Sequence, residues 1–453
     1  MTESRATAAP GGQARPPDGV DGDAATPSEP EPYERTATFA ALGVPAFRLL
    51  WLSGVFSFMS IQMQFLLRAL LAWDLRESEG ALGIVFFCFG LALGLSTLFG
   101  GVAADRLSKR RLMLFGQFVL LLGSIGMGLA LATDLIQFWM LLVSSALQGL
   151  MFGLIGPARI SMTTELVGRE RLGNAITLSS LSLSGSRVIA PSTAGLLAGW
   201  AVFGLAGAYF VSAVIATLSF VLLLPLPETS NRTATPDGAA RRVRQARSNP
   251  LAEIGQGVRY AMSRDYLRKP ILTSIIVIMF GFSYVAFQPA LVEGVFGLGD
   301  AHVGFISGAS SIGAVIASIV LASRADSPKA GSILTGLGFG FGASIIVLSW
   351  APSYPIALAV TAVIGGASTG FISLIQTIVM RATDEAYQGR VQSLVQLPFA
   401  AFAMAAAPLG ILAEWAGVRT MFLTMGIAVT LSMVVYSMAN ASGGRAAEPA
   451  ASH

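Results

Sequence analysis

The side chains best suited to chemistry in this chain are ionisable groups beside or within long apolar runs. The stretch GGVAADRLSKRRL, residues 100–112, ends one such run and precedes the next. It combines the small residue Gly101 with the carboxylate of Asp105 and four cations, which are Arg106, Lys109, Arg110 and Arg111. A carboxylate at a membrane edge can accept hydrogen bonds from arginines or from a facing helix N-terminus. The stretch therefore suits a gate between helices, and the alternative is an ordinary basic loop.

Arg187 is the ionisable residue placed deepest within an apolar run. At that depth a guanidinium is costly to bury and stays protonated, so it needs a wet cavity, a carboxylate or an anionic substrate. A structural arginine bound to helix carbonyls is the alternative. Candidate counter-ions are Asp74 and Glu293, which lie towards the ends of predicted spans. Arg68 lies nearer an outer surface, where either a functional role or simple snorkelling fits.

The composition requires a lipid environment. Of 453 residues, 54% are hydrophobic and 12% charged, and the apolar residues form runs as long as a bilayer is thick. We predict an all-α membrane protein with twelve transmembrane helices in two six-helix halves. The predicted spans are 46–73, 82–104, 111–132, 136–157, 176–200, 203–225, 270–293, 302–323, 329–350, 354–380, 391–413 and 417–439.

Loop charges predict how these spans are oriented. Eleven cations fall in the loops after the second, fourth, eighth and tenth spans, against Arg76 and Arg419 in the opposite loops. The eleven are Arg106, Lys109, Arg110, Arg111, Arg159, Arg169, Arg171, Arg324, Lys329, Arg381 and Arg390. Because cations favour the cytoplasmic side, we expect both termini to lie in the cytoplasm and the protein to sit in the bacterial cytoplasmic membrane.

The chain divides into two halves and three polar segments. Residues 1–38 are predicted to be a disordered cytoplasmic tail, and 441–453 a second tail. Between the halves, 39–227 and 270–440, residues 228–269 form a charged linker with apolar residues at helical spacing. That spacing indicates a short interfacial helix, or else a solvated tether with a helical patch. The halves share a weak repeat, GLLAGW at 195–200 and GILAEW at 410–415.

Several function classes are disfavoured. One cysteine, Cys88, and two histidines leave no set of ligands for a disulfide framework or a metal cluster. The basic residues cluster between apolar runs rather than on a face with interleaved aromatics, which argues against nucleic-acid binding. We find no phosphate-binding glycine loop and no nucleophile with an activating histidine, so we expect neither an enzyme nor a cofactor.

The stretch 100–112 resembles the G-x-x-x-D-R-x-G-R-R signature that major facilitator superfamily transporters carry between their second and third helices. Ser108 stands where that signature has its second glycine. The resemblance implies alternating access by two halves in a monomer. It also implies a central cavity lined by the first, fourth, seventh and tenth spans, unless their polar residues only bond between helices. Those residues are Gln62, Gln64, Gln148, Tyr284, Gln288 and Gln376.

The context of Arg187, NAITLSSLSLSGSRVIAPSTAG, resembles the fifth helix of a bacterial drug and siderophore exporter branch, which includes enterobactin-type and macrolide-type exporters. Arg187, Pro191 and Gly195 match that pattern, whereas Ala190 replaces a glycine. The Gly-Pro motif is associated with antiporters, so the resemblance implies export by exchange.

We therefore expect a secondary exporter of amphiphilic small molecules, driven by proton antiport, with no nucleic-acid partner. A nutrient importer of the same fold is the main alternative. A membrane receptor or scaffold would need a soluble domain larger than the polar segments provide.

Overall fold

Long apolar runs satisfy their backbone hydrogen bonds internally, and in a bilayer this favours helices. A computed structural model describes residues 40–106, 108–228, 250–322, 330–384 and 387–444, and these are almost entirely helical. The helices are α1 (Pro45–Arg76), α2 (Glu79–Arg106), α3 (Lys109–Ala132), α4 (Phe138–Ala198), α5 (Gly204–Leu223), α6 (Pro250–Met262), α7 (Asp265–Gly281), α8 (Asp300–Ala322), α9 (Ala330–Ser349), α10 (Tyr354–Arg381), α11 (Gln388–Ala416) and α12 (Val418–Gly444). A 3-10 turn, Phe282–Val285, and a π-turn, Ala290–Val295, extend α7.

Helix α4 joins the predicted fourth and fifth spans across a single break at Gly168. The sequence predicts a charged loop between 157 and 176, but both arms, 138–167 and 169–198, are helical up to this residue. Gly168 has φ of 70°, a conformation that glycine adopts without the penalty of a side chain. Arg159, predicted in a loop, is consequently a helical residue.

Ten helices in the described part of the chain are long and apolar enough to cross a membrane. The second arm of α4 and helix α11 occupy the positions predicted for the fifth and eleventh spans. The all-helical membrane fold is therefore confirmed, and the full count of twelve spans stays a prediction.

The helix connections lie on two faces of the bundle. We call one the Glu77 face; it holds the connections at 77–78, 133–137, 199–203, 296–299, 350–353 and 417. We call the other the Gly168 face; it holds the α2–α3 connection, the α4 break, helix α6 and the α10–α11 connection.

The two halves pack in the same way. In the first, α2 packs on α4, α1 on α4 and α5, and α3 on α5. In the second, α8 packs on α10, α7 on α11 and α12, and α9 on α12. Counting each arm of α4 as one helix, these pairings repeat with an offset of six, as the weak sequence repeat predicts.

Two helix pairs join the halves, α2 with α11 and the second arm of α4 with α8. In the second pair, the backbones meet at Gly195 and Gly304, where a Cβ on either residue would overlap the other's main chain. The matched glycine of the exporter-type pattern thus lies at the α4–α8 crossing. About two turns away, Ser311 donates a hydrogen bond of 3.0 Å to the carbonyl of Arg187.

Some predicted features lie outside the described residues. These are the tail 1–38, residues 229–249 of the predicted linker, residues 323–329 between α8 and α9, and residues 445–453. Helix α2 extends through Gly101, Asp105 and Arg106, but the side chains there also lie outside the described part.

Candidate functional site

Three carboxylates meet at the Glu77 face, at the seam between the halves. Asp74 is in the last turn of α1, Glu293 is in the π-turn after α7, and Asp300 begins α8. Their carboxylate oxygens lie within 4.8 Å of one another. The sequence suggested Asp74 and Glu293 as counter-ions for Arg187, whereas the fold brings them to each other and to Asp300.

This arrangement is electrostatically strained when the halves are closed. Like charges at such separations repel, so it is unfavourable for all three carboxylates to be ionised at once. One oxygen of Glu293 is buried with no hydrogen-bond partner among the described residues. Beside it, Trp73 of α1 packs against Gly294, where a Cβ would be 3.0 Å from the ring. A shared proton would relieve the repulsion.

A further acid joins the halves at the α2–α11 seam of the same face. Glu414 of α11 accepts hydrogen bonds from the Ser78 hydroxyl and, at 3.1 Å, from the Gly80 amide. In the described residues, the hydrogen bonds found between the halves are these two and the one from Ser311 to the Arg187 carbonyl, and they lie between the depth of Arg187 and the Glu77 face. The bundle is closed on that side.

An aromatic cluster crosses between the halves deeper in the bundle. Phe65 of α1 packs edge-on against Phe89 of α2, with ring centroids 5.5 Å apart, and its ring lies 6.2 Å from Phe402 of α11. Ile278 and Phe282, from the α7 segment, complete the same apolar contact. The cluster fills the space between the halves beneath the Glu77 face.

Arg68 lies behind this cluster and does not snorkel, because only 2% of its surface is exposed. Its Nε donates to the Gln64 carbonyl at 3.0 Å, and Nη1 donates to Ser145 Oγ at 3.1 Å. The guanidinium carbon is 5.9 Å from the Phe65 ring and 5.8 Å from the Phe89 ring. Hydrogen bonds and cation–π contacts therefore stabilise the Arg68 charge inside the first half.

Most of the predicted cavity residues are interior in this conformation. Gln64 donates to Ser124 Oγ at 2.7 Å and accepts from Gln148 at 3.3 Å. Gln288 accepts from Ser307, and the Tyr284 hydroxyl is 2.7 Å from that of Ser310. These four side chains are buried and bond between helices, so here they join helices instead of lining a cavity. Gln62 and Gln376 are half-buried.

Arg187 is exposed, although it lies in the interior of an arm that packs on α8. The Arg187 carbonyl accepts a hydrogen bond from Ser311 of α8, which places this turn of α4 where the two halves meet. Arg187 is eleven residues before Ala198, a depth similar to that of the aromatic cluster.

Three cations of the 100–112 stretch have described side chains, and all three bind within the first half. Lys109 pairs with Glu165 of α4. Arg110 and Arg111 both approach Glu228, which follows α5, at 3.7 and 3.2 Å. Ser108 replaces the expected glycine because it caps α3, where its hydroxyl accepts the Arg111 amide at 3.2 Å.

At the Gly168 face, helix α6 is bound to the second half through a group we call the linker latch. Tyr260 of α6 stacks on Tyr387 with ring centroids 4.0 Å apart. Arg264 lies 4.1 Å from the Tyr260 ring and pairs with Asp384 at 2.9 Å. The hydrogen bond from Arg264, and then that with Tyr260, lowers the pKa of the Asp384 carboxyl.

The fold and this arrangement of seams, buried charges and repeated halves define a membrane transporter of the major facilitator type. The chain belongs to the transmembrane secretion effector family of this superfamily, which it matches over residues 36–452. Like the other members of that family, this protein is a transporter and not an enzyme.

Comparison with known proteins agrees with this assignment. The enterobactin exporter EntS of Shigella flexneri is 25% identical over 358 residues, covering 77% of this chain and 80% of the exporter. The EntS of Escherichia coli O1:K1 / APEC is likewise 25% identical over 358 residues, with the same coverage.

Solved structures show the same fold at low sequence identity. A bacterial homologue of the human lysosomal transporter Spinster, inward-facing and unoccupied, superposes with a TM-score of 0.70 at 14% identity, covering 90% of this chain and 98% of that one. A POT family transporter in complex with 5-aminolevulinic acid gives a TM-score of 0.66 at 13% identity, covering 89% and 97%.

Proposed function

We propose that this protein exports anionic amphiphilic small molecules across the bacterial cytoplasmic membrane in exchange for protons. The observation that carries the proposal is the carboxylate cluster of Asp74, Glu293 and Asp300, because it joins the two halves where the bundle is closed. The similarity to enterobactin exporters supports the direction of transport and an amphiphilic substrate.

The proposed orientation places the Gly168 face in the cytoplasm. Arg106, Lys109, Arg110 and Arg111 lie at this face, and cations beside spans favour the cytoplasmic side. In this orientation the closed Glu77 face is external, and the conformation is inward-facing. Both termini would then be cytoplasmic.

Proton coupling follows from the charge of the carboxylate cluster. When the external side closes, Asp74 of the first half approaches Glu293 and Asp300 of the second, and repulsion is relieved by at least one proton. When the external side opens, the carboxylates separate and each is free to bind or release protons to the external medium. Closure therefore takes up a proton, and loss of that proton when substrate binds restores the repulsion that favours opening of the external side.

Arg187 supports an anionic substrate. Arg187 lies in the arm of α4 that packs on α8 between the halves, and the two acids first considered as its counter-ions lie at the Glu77 face. A negatively charged substrate that passes between the halves would be attracted by this guanidinium. Asp105 and the neighbouring cations are proposed to control opening at the cytoplasmic face.

The decisive experiment reconstitutes the full chain in proteoliposomes with an internal pH dye. An anionic amphiphile and a cationic one of similar size are each added under an imposed substrate gradient. We expect substrate-dependent proton movement in the opposite direction for the anion only. Substrate movement with no proton flux at any pH between 5.5 and 8 would contradict antiport, and transport of the cation alone would contradict the substrate class.

A further inference from the structure

Helix α2 begins at the Glu77 face beside a carboxylate that belongs to the other half. The Ser78 hydroxyl and, at 3.1 Å, the Gly80 amide donate to the same oxygen, Oε1 of Glu414 near the end of α11. The first amides of a helix have no partner within the helix, and the positive end of the helix dipole favours an anion there. Glu414 therefore caps α2 from across the seam.

The charge of Glu414 is compensated by this helix N-terminus and not by a cation. The ion pairs found in the described residues use the carboxylates of Glu165, Glu228, Asp265 and Asp384, but not that of Glu414. Glu414 is exposed, so water screens the contact and its contribution is modest. A contact of this strength can be broken and remade in each transport cycle.

Helix α2 keeps a cap of its own when Glu414 is removed. The Ser78 hydroxyl oxygen accepts a hydrogen bond of 3.2 Å from the Ala81 amide, while its proton is donated to Glu414. Serine is favoured at this position because its side-chain oxygen satisfies an amide of the first turn. Separation of the halves would expose the Gly80 amide to water and leave the bond between Ser78 and Ala81 intact. The contact with Glu414 can therefore break without unwinding the start of α2.

The neighbouring contact between α2 and α11 is unusually close. A Cβ on Gly83 would lie 2.5 Å from the Ala406 carbonyl oxygen, and a Cβ on Gly90 would lie 2.5 Å from the Cβ of Ala403. These positions are about 10 Å apart along α2. The hydrogen bonds described at this seam are those to Glu414, at the end of the contact that reaches the Glu77 face.

We propose that Glu414 is a detachable lock of the Glu77 face. Its carboxylate caps α2 while this face is closed and leaves α2 when the two halves separate there. The lock requires only that the halves move apart, as in a transporter of this superfamily. It does not depend on the proposed substrate, on the direction of transport or on proton exchange.

The test measures the width of the Glu77 face in the full chain, in nanodiscs and without substrate. Spin labels are attached through Leu135→Cys and Pro352→Cys, at exposed positions in connections of the first and second half, after Cys88→Ser removes the native cysteine. Pulsed electron double resonance then gives the ratio of long to short distances. We expect Glu414→Ala to raise this ratio about threefold, the size expected for an exposed charge at a helix N-terminus.

Glu414→Gln separates the charge from the hydrogen bonds. The glutamine carbonyl oxygen can still accept from Ser78 and Gly80, but it carries no charge. The ratio for this variant should therefore fall between those of the wild type and Glu414→Ala. Glu79→Gln, which neutralises the next residue along α2 after Ser78, is the matched control and should keep the wild-type ratio.

A charge swap distinguishes the lock from damage to α2. Ser78→Asp keeps a favoured capping residue for α2 but places a second carboxylate against Glu414. We expect this variant to widen the face, and Glu414→Lys alone to widen it as well, because a cation is unfavourable at a helix N-terminus. The double variant should restore the wild-type ratio, since opposite charges then meet across the seam.

Three outcomes would overturn the lock: an unchanged distance distribution in Glu414→Ala, no rescue of Ser78→Asp by Glu414→Lys, or equal widening by Glu79→Gln and Glu414→Gln. The last would show that the effect follows the net charge of the face and not the cap. Because the measurement uses no substrate and no pH gradient, its failure would leave the proposed export intact, and a protein that moves no protons could still carry the lock.

Discussion

Three arginines within the first half differ in how their charge is compensated. Arg68 is held by Gln64, Ser145 and two aromatic rings, and its Nη2 has no hydrogen-bond partner among the described residues. Arg159 has one carbonyl partner, and its Nε and Nη2 have none among the described residues. The Arg187 side chain is exposed, and the Arg187 carbonyl accepts a hydrogen bond from Ser311 of α8. Of the three, Arg187 is the one that lies where the halves meet, and there we propose substrate contact.

At Arg187, we predict that Arg187→Gln lowers export of anionic substrates at least tenfold, or about 1.4 kcal/mol of lost interaction. Arg187→Lys should recover only part of the rate, because a point charge cannot reproduce the bidentate fork of arginine. Export is measured as substrate efflux from everted vesicles, with Arg68→Lys as a control that keeps charge at a structural site. Unchanged export of every substrate by Arg187→Gln would make this arginine structural.

At the carboxylate cluster, removing one charge should weaken coupling between proton and substrate. Asp74→Asn removes the carboxylate that the first half contributes, so closing the external side no longer brings like charges together across the two halves and no longer requires a proton. We expect substrate exchange to continue while substrate-driven proton flux falls at least fivefold. Glu79→Gln, at the same face but outside the cluster, is the matched control. Wild-type proton flux in Asp74→Asn would remove the cluster from the coupling mechanism.

At the scale of the helices, two contacts join the halves: α2 packs on α11, and the second arm of α4 packs on α8. The Gly195–Gly304 crossing lets the second arm of α4 and α8 meet without side chains between them. Helix α6, in contrast, is attached through ring stacking and one exposed ion pair. We therefore expect substitutions at the α4–α8 contact to be tolerated poorly, and we expect the linker latch to respond to pH.

Gly304→Leu should prevent closure at the Glu77 face. The side chain would overlap the backbone at Gly195, and such overpacking costs about 1–3 kcal/mol. Because that cost falls on the closed conformation, transport should drop at least tenfold, and a cysteine placed at Ala301 should become more accessible from outside. Gly336→Leu, at a position with nothing within 4 Å, is the control. Equal transport by both variants would show that the crossing can open.

The linker latch should weaken in acid. The pKa of Asp384 is lowered by Arg264, so the pair stabilises attachment above the ordinary carboxyl pKa of about 4 and loses this effect as the pH falls through the lowered value. Hydrogen exchange of α6, corrected for intrinsic rates, should rise below pH 4. Asp384→Asn should show the raised exchange already at pH 7, whereas Arg268→Gln should not. If the protection of α6 from hydrogen exchange did not change with pH, the stacking of Tyr260 on Tyr387 alone would hold the helix.

At the scale of the whole molecule, the repeated pairing of helices gives two halves that meet along two seams. The hydrogen bonds described between them run from the Arg187 carbonyl to the Glu77 face, so the halves are joined on that side. The direction of transport then depends on which face is cytoplasmic.

We predict that the Gly168 face is cytoplasmic. Reporter fusions at residue 240, between α5 and α6, and at the C-terminus should both report a cytoplasmic location, because the cations cluster at this face. A fusion in the 133–137 connection should report the opposite side and serves as the internal control. A periplasmic signal at residue 240 would reverse the orientation, and with it the proposed exporter direction.

The sequence alone determined the lipid environment, the helical class and the resemblance to the superfamily, because apolar runs and loop cations are local features. Pro191 and Gly195 could also be identified from a local pattern. The sequence analysis placed Arg159 in a loop, because a charged stretch does not reveal that a helix continues up to Gly168. It also did not identify Asp300 as part of a site. Only the tertiary structure decided that Asp74 meets Glu293 and Asp300, because carboxylates more than 200 residues apart are brought together by the packing of the two halves.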